Sequence, residues 1–471
     1  MSGVGRSRFA SGAELSSTSM TAWPRGRKGR RGHQRGRVAA IEQVRRALGA
    51  SRLIWLGTRD SDVDSLLELP QLDAKYSIIG AARTTGADLD GVSLERISGV
   101  RVDLDTFDID EHIATAPVRE FRERLRTSLR TPAAVVTYRP SAFLSDLVFA
   151  SPSCRSLGMF HRHQSAFEHK PWIEGLMAAY DVPRIEWHYM YAGDTDVARR
   201  LLDRGAMMIR RSVTTGGVGI ARVDSAEALE ASWPDNPASL VSVAPFIADT
   251  IPVNVGAIVW EDDVTVHPAS VQLIGVPALT RRPFGYCGND FGAVADLGAR
   301  VLDELDACTR RIGVLLREFG YRGAFGVDFL VHDSRPMFVE VNPRLQGSTR
   351  ASCRIAENLD ASCILLDHVA ACLRLEPGPG RSVREWAADL GAFGHFVVHN
   401  VADMARRVDA GPIVAAAREA PGFVAADVLA DPALLTERDA TVARLTLCSR
   451  LTDGGFDIRE PWASVVGSNT R

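Results

Sequence analysis

The stretch Gly320-Tyr321-Arg322-Gly323-Ala324-Phe325-Gly326-Val327-Asp328-Phe329-Leu330-Val331, answered by Met337-Phe338-Val339-Glu340-Val341-Asn342-Pro343-Arg344, constrains this chain more than any other. It reads as a glycine-rich turn, a strand, a short turn and a second strand. Side chains alternate along a strand, so Glu340 and Asn342 share one face, with Phe338, Val339 and Val341 apolar around them. A three-residue turn at Asp333, Ser334 and Arg335 would set Asp328 opposite Glu340, both carboxylates on that face. Carboxylates directly opposite each other repel. A cation removes the repulsion, and a few hard oxygen ligands suit Mg²⁺ shared with the phosphates of a nucleotide. Arg344 follows where the strand ends and is in reach of a phosphate oxygen. The bland alternative is an edge hairpin with a solvated acidic face, which the strongly apolar neighbours disfavour.

A second stretch fits the same chemistry. Met207-Met208-Ile209-Arg210-Arg211-Ser212-Val213-Thr214-Thr215-Gly216-Gly217-Val218-Gly219-Ile220 is a strand running into a glycine loop and out into another strand. Residues without side chains let backbone N–H groups turn towards phosphate oxygens, and Ser212, Thr214 and Thr215 add hydroxyl donors. Alone, three glycines could serve any hairpin. Only three lysines occur, Lys28, Lys75 and Lys170, so a lysine carries more information here than an arginine. Lys170 closes the dense stretch 158–172, whose His161, His163 and His169 lack the cysteine partners or helical spacing of a zinc site.

These residues in this order resemble the ATP-grasp superfamily, whose metal-binding hairpin carries an acid on one strand and Glu-x-Asn-x-Arg on the next. The resemblance spans about residues 165–375 and implies ATP and Mg²⁺. Asp328, Glu340 and Asn342 would hold the metal, and Arg344 would bind the transferring phosphoryl group or the acyl phosphate. Lys170 would reach the α- and β-phosphates. Ser212, Thr215, Gly216, Gly217 and Gly219 would cradle the nucleotide. The family has Lys where Arg210 stands; Arg keeps the charge and can bind phosphate bidentately, but the two are not interchangeable. The strand 239–247 resembles the linker between the two halves, so adenine would bond the backbone of Ala244 and Ile247.

The implied fold class combines α/β and α+β parts. Residues 1–37 would be a disordered basic tail, 38–164 a pre-ATP-grasp α/β domain, 165–375 the ATP-grasp domain in halves of about 165–248 and 249–375, and 376–471 a C-terminal accessory domain. In 38–164, strands at 52–58, 76–80, 100–104 and 133–138 alternate with helices, as a parallel sheet requires. Gly57 lies in no GxGxxG, so no dinucleotide site is supported. Strands at 253–260 and 264–273 flank a turn at Glu261-Asp262-Asp263, and His267 and Gln272 could face the reacting acyl group. The loop 277–291 offers Arg281 or Arg282 to a substrate carboxylate. Arg350 or Arg354 could meet an anion, while His395 and His399 read as ordinary sheet residues.

Charge bears on partners. Residues 1–37 hold nine Arg/Lys and one acid, leaving 46 basic and 57 acidic residues in a body of net charge −11. Such a body does not suggest a nucleic-acid substrate. Seven scattered cysteines without a CxxC pair suit a reducing cytoplasm, and no apolar run is long enough to span a bilayer. The resemblance implies a carboxylate–amine ligase acting through an acyl phosphate on small-molecule or peptide acids and amines, and allows a homodimer. Overall layout and the 160–170 stretch further resemble peptide ligases of bacterial natural-product (antibiotic) biosynthesis, of the pheganomycin type. An ATP-grasp carboxylase or carbamoyl-type enzyme, or a non-catalytic nucleotide-binding regulator, stays open.

Overall fold

Apolar runs bounded by charge set the first layer. Arg52-Leu-Ile-Trp-Leu-Gly-Thr-Arg59 is buried along its centre, as a strand covered on both faces must be. The computed structural model describes residues 36–80, 89–139, 141–159, 161–211 and 216–467. The predicted tail up to residue 35, and Ser212, Thr214 and Thr215 of the glycine loop, therefore lie outside the described residues. The described chain begins with a helix, Gly36–Leu48, and its Arg37 pairs with Glu357 at 3.3 Å and with Glu68.

Strands β1 (Arg52–Arg59), β2 (Leu72–Ile79), β3 (Asp90–Ser93), β5 (Ala133–Thr137) and β6 (Cys154–Leu157) form one parallel sheet in the order β3-β2-β1-β5-β6. The chain winds one way from β1 and then crosses to the other side, so the direction of winding reverses between β1 and β5. The strand predicted at 100–104 shrinks to β4 (Val100–Arg101), which pairs outside this sheet with β18 (Leu435–Thr436). Val102 and Leu104 are instead buried in a small cluster with Ile79 and Leu429.

The next layer is antiparallel: β7 (His188–Tyr191), β10 (Leu240–Pro245), β8 (Met207–Arg211) and β9 (Ile220–Val223), in that order. The third sheet has eight strands. Its order is β15 (Arg335–Asn342), β14 (Gly323–His332), β11 (Ile251–Val259), β12 (Val264–Ile274), β13 (Tyr286–Asp290), β16 (Gly394–His399), β19 (Thr441–Leu447) and β17 (Phe423–Val428). Strands after residue 376 thus continue the sheet begun before it. Helix Ala299–Glu318 buries Val301, Leu305, Ile312 and Leu315 in the core cluster that includes the interior of β11 and β12. Among the described residues no helix is long and apolar enough to cross a membrane.

The predicted loop 277–291 contains a real strand. β13 ladders onto β12 and β16, and its Asn289 and Asp290 are fully buried. Asp290 accepts backbone N–H bonds from Ala293, Leu451 and Thr452 at 2.5–3.0 Å, which is how a charge survives there.

Candidate active site

The hairpin β14–β15 sets Asp328 opposite Glu340, and the route to that register differs from the expected one. The turn has two residues, Asp333 and Ser334, with φ of 48° and 57°, and His332 pairs with Arg335. Two consecutive positive φ values give the primed turn that suits a twisted hairpin. The ladder then slips by one residue between Asp328 and Phe329, because Phe329 pairs with Phe338 and Val339 is extra. A shorter turn and a bulge offset each other.

Neighbouring strands hold these acids in place. Asn254 on β11 donates to Asp328 at 2.6 Å, and Gln272 on β12 donates to it at 3.2 Å. Asn342 donates to Glu340 at 3.2 Å and to Asp328 at 3.4 Å. Gln346 accepts from Asn254 at 3.1 Å and lies over Gly326, where an added Cβ would come within 1.6 Å of its oxygen. Of the two residues expected near a reacting acyl group, Gln272 faces the acids. His267 lies buried with its Nε2 3.2 Å from Asp367.

Helix Lys170–Ala179 supplies the cation. Pro171 at its start suits the fixed φ of a first turn. Lys170, 4% exposed, donates its ammonium to Glu340. One turn on, Glu174 pairs with Arg210, so a single helix face serves both strands. Arg210 is 2% exposed, and its guanidinium stacks over Trp187 at 3.6 Å. Burial lowers the Arg210 pKa against the pull of Glu174. Its neighbour Arg211, projecting to the other face of β8, is the arginine of that strand that lines the main cleft. Arg344 bonds Glu168 at 3.1 Å and Asn342 at 2.9 Å.

That cleft, about 650 Å³, lies within the range of small-molecule sites. Lys170, Glu340, Asn342 and Arg344 line it on one side, and Arg211 and Gly219 on another. Gly216, Gly217 and Gly219 all have positive φ. Side chains at the first two would strike Asp105 and the carbonyl of Phe284, so this turn packs closely on both. Ala244 is buried in β10, whose pairing with β7 ends at Val243 while that with β8 runs on to Pro245. Ile247 follows just after the strand. A smaller inner cleft, about 160 Å³, adjoins the acids and includes Asn254, Gln272 and His399.

Some expected anion binders are already committed. Arg282 pairs with Asp103 and with Asp105 at 3.0 Å, and Arg281 with Asp403 at 2.5 Å. Arg350 pairs with Asp427 and with Asp64 at 2.5 Å. Sequence reading missed Glu168, Glu174, Asn254 and Gln346. Only Glu174 carried a signal, its four-residue spacing from Lys170.

Electrostatics test whether a metal fits. Burial, then the charge of Glu340, push Asp328 well above the usual carboxylate range. Burial would raise Glu340 as well, but Lys170, with hydrogen bonds from Asn342 and Asp328, holds it below that range. Two acids so divided fit a divalent cation that lets both ionise. Among the described residues no three His, Cys, Asp or Glu converge, so the ion would need oxygens from a ligand too. The donor set fits Mg²⁺ bound jointly by Asp328, Glu340, Asn342 and phosphate.

Residues 176–348 match the ATP-grasp domain family. The chain carries an ATP-grasp domain. Beyond that segment the architecture is similar in fold to solved structures over 84–89% of the chain. Carboxyaminoimidazole ribonucleotide synthase from Aspergillus clavatus, solved with ATP, superposes with a TM-score of 0.58 at 15% identity, over 89% of this chain and 99% of that one. The Thermus thermophilus N5-carboxyaminoimidazole ribonucleotide synthetase gives 0.54 at 14%, over 88% and 96%. The biotin carboxylase domain of Hydrogenobacter thermophilus 2-oxoglutarate carboxylase, solved with MgADP, ADP and bicarbonate, gives 0.56 at 13%, over 84% and 86%. At these identities the likeness is one of fold. No curated protein matches the chain by sequence.

Proposed function

We propose that this ATP-grasp chain is an ATP-dependent C–N ligase that joins a carboxylate to an amine through an acyl phosphate. The observation that carries the reading is the facing pair Asp328 and Glu340, beside a cleft also lined by Lys170, Arg344 and the glycine turn. Asp328, Glu340 and Asn342 would hold Mg²⁺, whose charge would neutralise the phosphates. Lys170 would exchange Glu340 for a phosphate oxygen. Arg344 and Arg211 would bind the phosphoryl group in flight, while Arg210, locked to Glu174 and Trp187, would keep β8 in position. The glycine turn 216–219 would cover the phosphates, with Ser212 and Thr215 as further donors, and the backbone of Ala244 and Ile247 would take adenine.

The acid's oxygen attacks the γ-phosphorus, the bond to the β-phosphate oxygen breaks, and ADP leaves. The amine nitrogen then attacks the acyl carbon, phosphate departs with the C–O bonding pair, and the nitrogen sheds a proton. Such transfer needs positioning and charge neutralisation more than a protein nucleophile.

The finer reading is a peptide ligase of bacterial natural-product biosynthesis, working in the cytoplasm. In its support, the 160–170 stretch that resembles those ligases contributes Glu168 and Lys170 to this site. The seven unpaired thiols suit a reducing compartment. A carboxylase using bicarbonate is the second reading, favoured by likeness of fold over 99% of the synthase and 86% of the carboxylase domain.

The test incubates the protein with MgATP, amino acids, short peptides and amines, and separately with bicarbonate, and reads products by mass spectrometry. With an ¹⁸O-labelled carboxylate, one label should pass into phosphate. Amide formation without label transfer contradicts the acyl phosphate, and product only with bicarbonate supports the carboxylase.

A further inference from the structure

The parallel sheet reverses its winding between β1 and β5. At such a point the connections leave in opposite directions, and the strand ends open a crevice that binds ligands. Here the ends are Thr58-Arg59 and Tyr138-Arg139, and all four line the inner cleft beside Asp328 and Glu340. Arg139 also lines the main cleft, so it stands where the two meet, together with Glu340, Asn342 and Arg344.

Most of the nearby acids are held by other cations; Asp108, which also lines the main cleft, has no paired cation among the described residues. Asp103 and Asp105 are held by Arg282, Glu168 by Arg344, and Asp62 by Arg444 at 2.6 Å. Among the described residues Arg139 has no hydrogen bond and no carboxylate within ion-pair distance. Arg59 comes no nearer than 3.9 Å to Asp62, and its Nε is buried without a partner. Arg139 with no paired carboxylate, and Arg59 with one only at 3.9 Å, leave positive charge in a partly buried crevice, a net cost to the fold unless something anionic joins them.

We propose that Arg139 and Arg59 form an oxyanion subsite for the non-nucleotide substrate, receiving a carboxylate or phosphate group within reach of the acid pair. The proposal rests on the ligase reading for the identity of the neighbouring site. The arginines assign the chemical class: a substrate with an anionic group, held by the N-terminal sheet and not by Arg281 or Arg282.

The test titrates inorganic phosphate and succinate into the full chain, free and loaded with Mg²⁺ and a non-hydrolysable ATP analogue that fills the γ-phosphate position. Wild type should bind one probe saturably, one per chain. Arg139→Met should weaken that binding about tenfold or more, the loss of a charge-assisted hydrogen bond. Arg139→Lys should recover part of it, and MgADP affinity should be unchanged. Arg59→Met serves as a second variant should Arg139→Met fail to fold. Preference for phosphate points to a phosphorylated substrate, preference for succinate to a carboxylate. Equal probe binding in wild type and both methionine variants, or no binding of either probe, overturns the subsite. If the probe binds through Arg139 but MgADP does not bind, the subsite stands and the nucleotide reading falls.

Discussion

Lys170 and Glu340, 170 positions apart in sequence, bind each other where the first turn of a helix meets the second strand of the hairpin. The pair holds Glu340 charged and Lys170 buried with no ligand present, the two groups proposed to bind metal and phosphate. On that proposal, metal and ammonium would compete for Glu340 until phosphate took over the ammonium.

Lys170→Met should separate these roles. Freed of its partner, Glu340 should bind Mn²⁺ more tightly in the absence of nucleotide, while MgADP affinity falls about ten- to a hundredfold, the worth of a charged hydrogen bond. Metal titrations with and without ADP check this. Parallel changes in both would contradict it.

Gly326→Ala should disturb the acids without touching them. The new methyl would occupy the place of the Gln346 amide and loosen Asn254, which holds Asp328. Overpacking of this kind costs about 1–3 kcal/mol. Chemical denaturation should show that loss, with weaker metal binding alongside. Unchanged metal affinity would mean that Asn254 does not fix Asp328.

Arg282→Ala should behave as a structural lesion. Removing it leaves Asp103 and Asp105 without their cation, and burial already raises Asp103. Breaking a buried pair from one side costs about 3–5 kcal/mol. A large fall in denaturation midpoint with the acid's KM unchanged is expected, and the reverse pattern would restore Arg282 as a substrate ligand.

Acid should destabilise the fold through His368. Its Nδ1 accepts from the Ala324 N–H at 3.0 Å and its Nε2 lies 3.1 Å from the Leu157 carbonyl, joining β14 to β6. Burial depresses its pKa to about 4. The unfolded chain therefore binds the extra proton first, and stability present above pH 6.5 is lost as pH falls towards 4. The slope should reach about 1.4 kcal/mol per pH unit for this group. His368→Leu should flatten the dependence of the urea midpoint on pH in that window, and an unaltered slope would refute the assignment.

The acid hairpin was legible because side-chain alternation needs only local sequence. Even there the turn and the bulge at Val339 were not readable, and the register came out right because they offset each other. β13 was hidden because glycines and prolines punctuate 277–291, while its burial is supplied by β16 and the chain near residue 451, more than a hundred residues on. Arginine roles were the least legible. Arg281, Arg282 and Arg350 found carboxylates far away in sequence, whereas Arg139 sits just past an ordinary apolar strand. Its position matters only once β1 is seen beside β5.

The most direct measurement of the central claim is Mn²⁺ binding to the protein–ADP complex, followed by electron paramagnetic resonance, in wild type, Asp328→Asn and Glu340→Gln. Wild type should bind the ion with ADP present, and each substitution should weaken it at least about tenfold while the fold persists by circular dichroism. Mn²⁺ held equally well by all three proteins would contradict the account.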